Sequence, residues 1–211
     1  DRTVLLSGIS HDLRTPLTRL RLALEMLPKD TDQALVARME RDIEEMSLQI
    51  SQAVELGRTL GAGERHLTDI GLLIGEVVGE RPRVVWRDAA PCQHAINVMA
   101  LRRILGNLIE NALRYSDGPV EVRLDCEHQA PAIFVLDRGP GIPQSERDAV
   151  FRPFYRMEWS RSRDTGGSGL GLAVARQLAV ANGLEIELRS RHGGGTVAGI
   201  RLCEAAEADA D

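Results

Sequence analysis

The sequence predicts an α+β chain in two parts. An N-terminal helical hairpin, paired with a second copy as a four-helix bundle, precedes a domain of antiparallel or mixed strands with helices over one face. Three observations carry this. Apolar residues recur at helical spacing over the first 60 positions, a glycine-bearing polar stretch follows, and beyond it short β-rich runs alternate with two long amphipathic segments.

A first helix is expected near residues 2 to 27. Stepping about 100° per residue puts Leu6, Ile9, Leu13, Leu17, Leu20, Leu24 and Leu27 on one stripe. Pro16 sits inside this pattern, removes one backbone bond and should kink the helix. The run Pro28-Lys29-Asp30-Thr31-Asp32 reads as stop, turn and new start. A second helix from about 32 to 60 carries Leu35, Met39, Ile43, Met46, Ile50, Ala53 and Leu60 at steps of threes and fours. Two such helices bury one stripe each and leave apolar surface over, which a dimeric four-helix bundle covers.

Gly57, Gly61 and Gly63 in GRTLGAGE mark a boundary and hinge. The expected units are therefore 1–62, 63–205 and a frayed acidic tail over 206–211. Within the second unit a short helix is expected across Ile70 to Val78 and β-structure at Val84-Val85-Trp86. A strong helix should cover 98–116, with strands at 119–125 and 132–137. A Gly-, Pro- and Arg-rich loop then runs from 138 to about 168, with one helical piece near 144–150. Helix 169–182 and strands 184–190 and 196–202 complete it.

Composition excludes several classes. Apolar residues make up 43% and charged ones 27%, ordinary for a globular chain, and the formal net charge of −5 gives no basic footprint for nucleic acid. No apolar run approaches the roughly 20 residues needed to span a bilayer. Cys92, Cys126 and Cys203 are far apart, odd in number and without C-x-x-C spacing, so neither a disulfide nor a zinc site is expected, and a reducing compartment fits. His66, His94, His128 and His192 have no ligand-like spacing. The chain begins with Asp already inside a helical pattern and reads as a fragment with its upstream part missing.

His11 lies opposite the first helix's apolar stripe, among Ser7, Arg14, Thr15 and Thr18, and so projects from a polar face. A lone histidine there is ordinarily a solvated side chain. Beside it, however, Asp12 can accept the proton of one ring nitrogen and leave the other a neutral nucleophile. Val4, Leu22 and Met26 lie off the core stripe on the same side, either as scattered surface residues or as a docking patch.

Four stretches of the second unit have the character of a nucleotide site. Asn107, Asn111 and Arg114 share one side of helix 98–116 through i, i+4, i+7 spacing, where Mg²⁺ and phosphate oxygens suit their chemistry. Asp137 closes a strand ahead of Gly139-Pro140-Gly141, and its carboxylate can accept the exocyclic amine of adenine. Gly166-Gly167-Ser168-Gly169-Leu170-Gly171 opens a helix, aiming free N–H groups at anions. Gly194-Gly195-Thr196 introduces the last strand. Any one glycine run is weak evidence; the four together are specific.

In this order the segments resemble the boxes of the two-component sensor histidine kinases. SHDLRTPL is similar to the phosphoacceptor H box, NLIENALRY to the N box, DRGPG to G1, FRPFYR to the F box, GGSGLGLA to G2 and GGGT to the terminal glycine box. SHDLRTPLTRLRLALEM is most similar to the osmosensor-type subgroup. The resemblance covers nearly all of residues 5 to 202 and implies a homodimeric phosphoacceptor domain followed by a Bergerat-type α/β-sandwich ATP-binding domain, as in gyrase and Hsp90.

It further implies that His11 is the phosphoacceptor, Asp12 its acid/base helper, and Thr15 the residue orienting water for dephosphorylation of a partner. ATP and Mg²⁺ would be held by Asn107, Asn111 (the metal-side residue), Arg114, Tyr115, Asp137, Gly139, Gly141, Gly167, Gly169, Leu170 and Gly171. The implied partner is a response regulator receiver domain. The implied setting is the cytoplasmic face of a bacterial inner membrane, beneath a transmembrane sensor. Arg114 stands where Lys is commoner, Arg138 where a small or polar residue is frequent, and Ser168 where Thr is frequent; Arg for Lys keeps charge but changes the fork. Glu110 is a rival general base for water, with a role near the acceptor histidine's approach, or none, preferred. Phe151 and Phe154 are expected either to pin the loop to the core or to couple lid position to the helical domain. Arg152, Arg156, Arg161 and Arg163 are expected to be solvated, with one available to neutralise phosphate. A rival reading is a silent dimeric scaffold that binds nucleotide as a signal; the intact His11-Asp12 pair, Asn111 and Asp137 argue against it.

Overall fold

A computed structural model describes residues 64–87, 90–126, 130–157 and 169–203, and isolated helical positions between Leu20 and Met46. His11, Asp12, Thr15, the Pro16 kink, the turn at 28–32, Val4, Met26, His128, Arg161, Arg163, Gly166, Gly167, Ser168 and the tail lie outside the described residues. Of the two expected stripes, Leu24 and Ile43 are buried together. Leu20, Leu35, Met39 and Met46 are 41–52% exposed, as is Leu22 on the His11 side.

The second unit opens with β1 (His66–Asp69), and α1 (Ile70–Val78) starts where Asp69 caps it. The Asp69 side chain accepts from the N–H groups of Gly71 and Leu72 at 2.9 and 3.2 Å, satisfying two donors that a first helical turn leaves free. β2 (Val84–Val85) and β3 (Gln93–Ile96) follow. α2 (Val98–Tyr115) is capped by Asn97, which accepts from Ala100 N–H at 3.2 Å. Its buried stripe, Leu101, Ile104, Leu105, Leu108 and Ala112, keeps the helical period and leaves the polar Asn107–Asn111–Arg114 side clear of the core.

β4 (Val120–Asp125), β5 (Ala132–Leu136), α3 (Gly171–Ala181), β6 (Glu185–Ser190) and β7 (Thr196–Arg201) complete the unit. The expected helical piece near 144–150 is two short 3₁₀ turns, Gln144–Glu146 and Ala149–Phe151. The five-stranded sheet runs β2-β4-β5-β7-β6, with β2 parallel to β4 and every other pair antiparallel. Alternation sends Val120, Val122, Ile133, Val135, Ala198 and Ile200 into one core with the helices. Glu121, Arg123 and Phe134 take the positions between them.

Two features depart from expectation. β1 and β3 form a separate antiparallel ribbon, His66 opposite Ile96. In HLTD and QHAI, four residues each, too few apolar side chains alternate to signal a strand. Cys92 and Cys126 form a disulfide, contrary to the expectation of none. Their separation of 34 residues carries no local spacing signal, and only the fold brings them together. Cys203 is free and half-buried.

Candidate functional site

Asn107, Glu110, Asn111, Arg114 and Tyr115 of α2 form one wall of an open cleft. Asp137, Pro140, Gly141 and Ile142, beyond the end of β5, line it too. So do Val150 and Tyr155 to Met157, Gly169, Gly171 and Leu172 at the start of α3, and Thr196 of β7. The i, i+4, i+7 side of α2 predicted from spacing thus faces open space. Asn107 and Asn111 are half-buried and their carboxamides hydrogen-bond to no described residue, which leaves them available to a ligand. A Cβ placed on Gly171 would sit 3.6 Å from Asn107 Oδ1, so the start of α3 lies against the asparagine side.

Asp137 is the cleft's buried charged group, 7% exposed. Its Oδ1 accepts from Gly139 N–H at 2.7 Å and Thr196 N–H at 3.1 Å, while its own N–H donates to Thr196 O at 3.0 Å. Two backbone donors on one oxygen hold this carboxylate in a single orientation. The close approach of three chain segments makes this possible. A Cβ on Gly139 would lie 2.4 Å from Tyr115 O, so only glycine lets the β5 exit pass under the end of α2. Tyr115 and Arg114 are held from the other side by Arg83, whose guanidinium donates to Ser116 O at 2.7 Å and Leu113 O at 3.0 Å, capping the last carbonyls of α2.

Behind Asp137, Arg191 donates to the Asp137 carbonyl at 3.2 Å and is ion-paired with Glu121. Arg123 donates to the other Glu121 oxygen at 2.6 Å. Hydrogen bonds from Arg191 first, and then from Arg123, hold the Glu121 carboxyl below the usual glutamate range.

The other predicted positions fall in differing surroundings. Leu170 is 1% exposed and belongs to the hydrophobic core, so its side chain is no part of the cleft wall. Gly139 is a joint behind Asp137 and does not line the cleft. Phe151 does pack on the core, with the Arg176 guanidinium 4.8 Å from its ring centroid. Phe154, by contrast, is 57% exposed at a φ of 63° and packs on no core residue among the described residues; its N–H donates to Gly169 O at 3.1 Å. Arg156 is half-buried in the cleft wall, whereas Arg152 is exposed. His66 and His192 are exposed and His94 half-buried. Glu110 reaches the cleft rim and is exposed. Ile142 and Met157 line the cleft without being expected there from sequence, whereas Thr196 closes the GGGT run and Tyr155 lies within FRPFYR.

Among the described residues no helix is long and apolar enough to cross a membrane. Residues 96–206 match the model of the histidine kinase-, DNA gyrase B-, and HSP90-like ATPases, and residues 1–60 that of the His Kinase A (phospho-acceptor) domain. The chain is 36% identical over 210 residues to the sensor histidine kinase GtrS of Pseudomonas aeruginosa, covering 96% of this chain and 42% of that one. It is 35% identical over 192 residues to the sensor protein RstB of Escherichia coli, covering 85% and 43%. It therefore spans less than half the length of these curated relatives. Among solved structures, the histidine kinase AdeS of Acinetobacter baumannii superposes with a TM-score of 0.65 at 24% identity, over 92% of this chain and 98% of that one. Full-length ShkA, in complex with AMPPNP, gives 0.70 at 22%, over 96% and 46%. Both share the fold. With a phosphoacceptor segment ahead of an ATPase domain in one chain, the protein belongs to the two-component sensor histidine kinases, of which it comprises the catalytic core.

Proposed function

We propose that the chain phosphorylates His11 from ATP and passes the phosphoryl group to an aspartate of a response regulator receiver domain. Residues 1–62 serve as the dimerising phosphoacceptor hairpin and residues 63–205 as the nucleotide domain. The observation that carries this reading is the cleft itself. A buried carboxylate suited to the adenine amine and an Asn107–Asn111–Arg114 side suited to phosphates open into one cleft.

The donor set fits magnesium in the manner usual for nucleotide enzymes. Among the described residues no group of three or more His, Cys, Asp or Glu could hold a metal unaided. A carboxamide oxygen of Asn111, phosphate oxygens and water make a hard oxygen shell. When bound, the ion neutralises charge on the transferring phosphate. Asn107 and Arg114 orient the phosphates, and Arg114 supplies a fork to two oxygens. The His11 ring nitrogen then attacks the γ-phosphorus, a P–N bond forms, the bond to the β–γ bridging oxygen breaks, and ADP leaves. Asp12 holds the ring in the attacking tautomer and takes its proton.

The surplus apolar surface at Leu20, Leu35, Met39 and Met46 supports pairing of two hairpins into a four-helix bundle. Leu22, exposed on the His11 side, supports regulator docking there. We assign the parent protein to the cytoplasmic face of an inner membrane, with its sensor upstream.

Incubation with Mg²⁺ and [γ-³²P]ATP should give an acid-labile, base-stable label. Mass spectrometry at neutral pH should map it to the peptide containing His11. An acid-stable label, or one mapped elsewhere, overturns the proposal. The same face is assigned phosphatase activity. Thr15→Ala should retain autophosphorylation and slow dephosphorylation of a phosphorylated receiver domain by about a hundredfold, the scale of losing a positioned proton-transfer or water-orienting group. An undiminished dephosphorylation rate removes Thr15 from that role.

A further inference from the structure

We propose that Arg191 is a positioning residue for base recognition: its two-armed bridge from Glu121 to the Asp137 carbonyl holds the Asp137 carboxylate in register with the purine. The inference rests on the reading of Asp137 as the acceptor for the adenine amine. Arg191 lies in the turn between β6 and β7, outside the cleft, and no motif in the sequence singles it out.

The Arg191 side chain is only 8% exposed, so its charge is largely withdrawn from water and needs an anion and acceptors. Glu121 supplies the anion. It stands on β4 opposite Leu136, the residue before Asp137, and is held in turn by Arg123. The second arm of the fork donates to Asp137 O at 3.2 Å. Arg191's own backbone closes the glycine turn, its N–H donating to Gly195 O at 3.0 Å and its carbonyl accepting from Gly194 N–H at 3.1 Å. One guanidinium therefore ties three things together: the turn that delivers the Thr196 N–H to Asp137 Oδ1, the neighbouring strand, and the Asp137 peptide. A lysine ammonium lacks the planar fork that suits both partners at once.

Removing this bridge frees the Asp137–Arg138 peptide while leaving Asn107, Asn111 and Arg114 in place. The loss should fall on the base and spare the phosphates. The readout is the ratio of dissociation constants for ATP and for purine riboside triphosphate, which lacks the exocyclic amine, measured on the full chain by displacement of a fluorescent nucleotide. Wild type should prefer ATP. Arg191→Gln should reduce that preference by about fivefold, the scale of weakening one hydrogen bond to a charged group, with the affinity for purine riboside triphosphate little changed. Arg191→Lys should fall between. A preference left unchanged, or both constants rising by one factor as general destabilisation would give, overturns the proposal. Should Arg191→Gln fail to fold, Glu121→Gln, which keeps shape and acceptor but drops the counter-charge, takes its place: a reduced preference supports the bridge and an unchanged one overturns it. Asp137→Asn separates the layers. If it too keeps the wild-type preference, the adenine reading fails and the inference with it. If it loses the preference while Arg191→Gln does not, only the role of Arg191 is rejected.

Discussion

His11→Gln should abolish the acid-labile label entirely while leaving nucleotide affinity within about twofold of wild type, since the residues proposed to hold the nucleotide come from another segment of the chain. Glutamine matches the length and polarity of histidine, so packing and helix propensity alter little. What disappears is a basic lone pair: an amide nitrogen is delocalised into its carbonyl and does not attack phosphorus, whereas a neutral imidazole does. The two readouts are separable because the described residues lining the cleft all lie between Asn107 and Thr196, in a different segment of the chain. Displacement of a fluorescent nucleotide and filter-bound label measure them independently. Retained acid-labile label in the variant sinks the assignment of His11. Loss of label together with loss of nucleotide affinity instead indicates a collapsed fold.

The parts of the site that can be read from the sequence are those whose signal is local and periodic. On α2, the apolar stripe through Leu101, Leu105 and Leu108 fixes which way Asn107 and Asn111 must point, so four residues of spacing suffice to place them in the cleft. Asp137 can be placed beside the cleft from sequence because it closes a strand directly ahead of a Gly-Pro-Gly run. The hidden parts depend on partners distant in sequence. Cys92 meets Cys126 only because the segments bearing them converge in the folded unit. Leu170 sits in a glycine loop whose pattern suggests ligand contact, yet one large apolar side chain must anchor the start of α3 to the core. Phe154 has the opposite fate, since its positive φ turns the chain and leaves the ring outside. The β1–β3 ribbon has four residues per strand and almost no alternation, and it forms from pairing rather than from propensity.

Gly195→Ala should eliminate measurable nucleotide binding and lower stability by about 3 kcal/mol, combining backbone strain with overpacking. Gly194→Ala next to it should do neither to that extent. Both glycines have positive φ, 98° at Gly194 and 103° at Gly195, so an alanine at either pays a strain of about 1–2 kcal/mol. Their surroundings differ. A Cβ on Gly194 meets nothing within 4 Å. One on Gly195 would lie 2.2 Å from Asp137 O and 2.8 Å from its carbonyl carbon, backbone against backbone, with no flexible side chain to yield. Relief requires the β7 entry to move away from Asp137. That motion breaks the Thr196 N–H bond to Oδ1 and the Asp137 N–H bond to Thr196 O together. Thermal unfolding should register a fall of roughly 10 °C for Gly195→Ala and a smaller one for Gly194→Ala, which should keep nucleotide affinity within about threefold of wild type, because strain alone leaves Asp137 in place. Equal loss of affinity in the two variants would show that turn conformation, rather than the contact between Gly195 and Asp137, sets the position of the carboxylate.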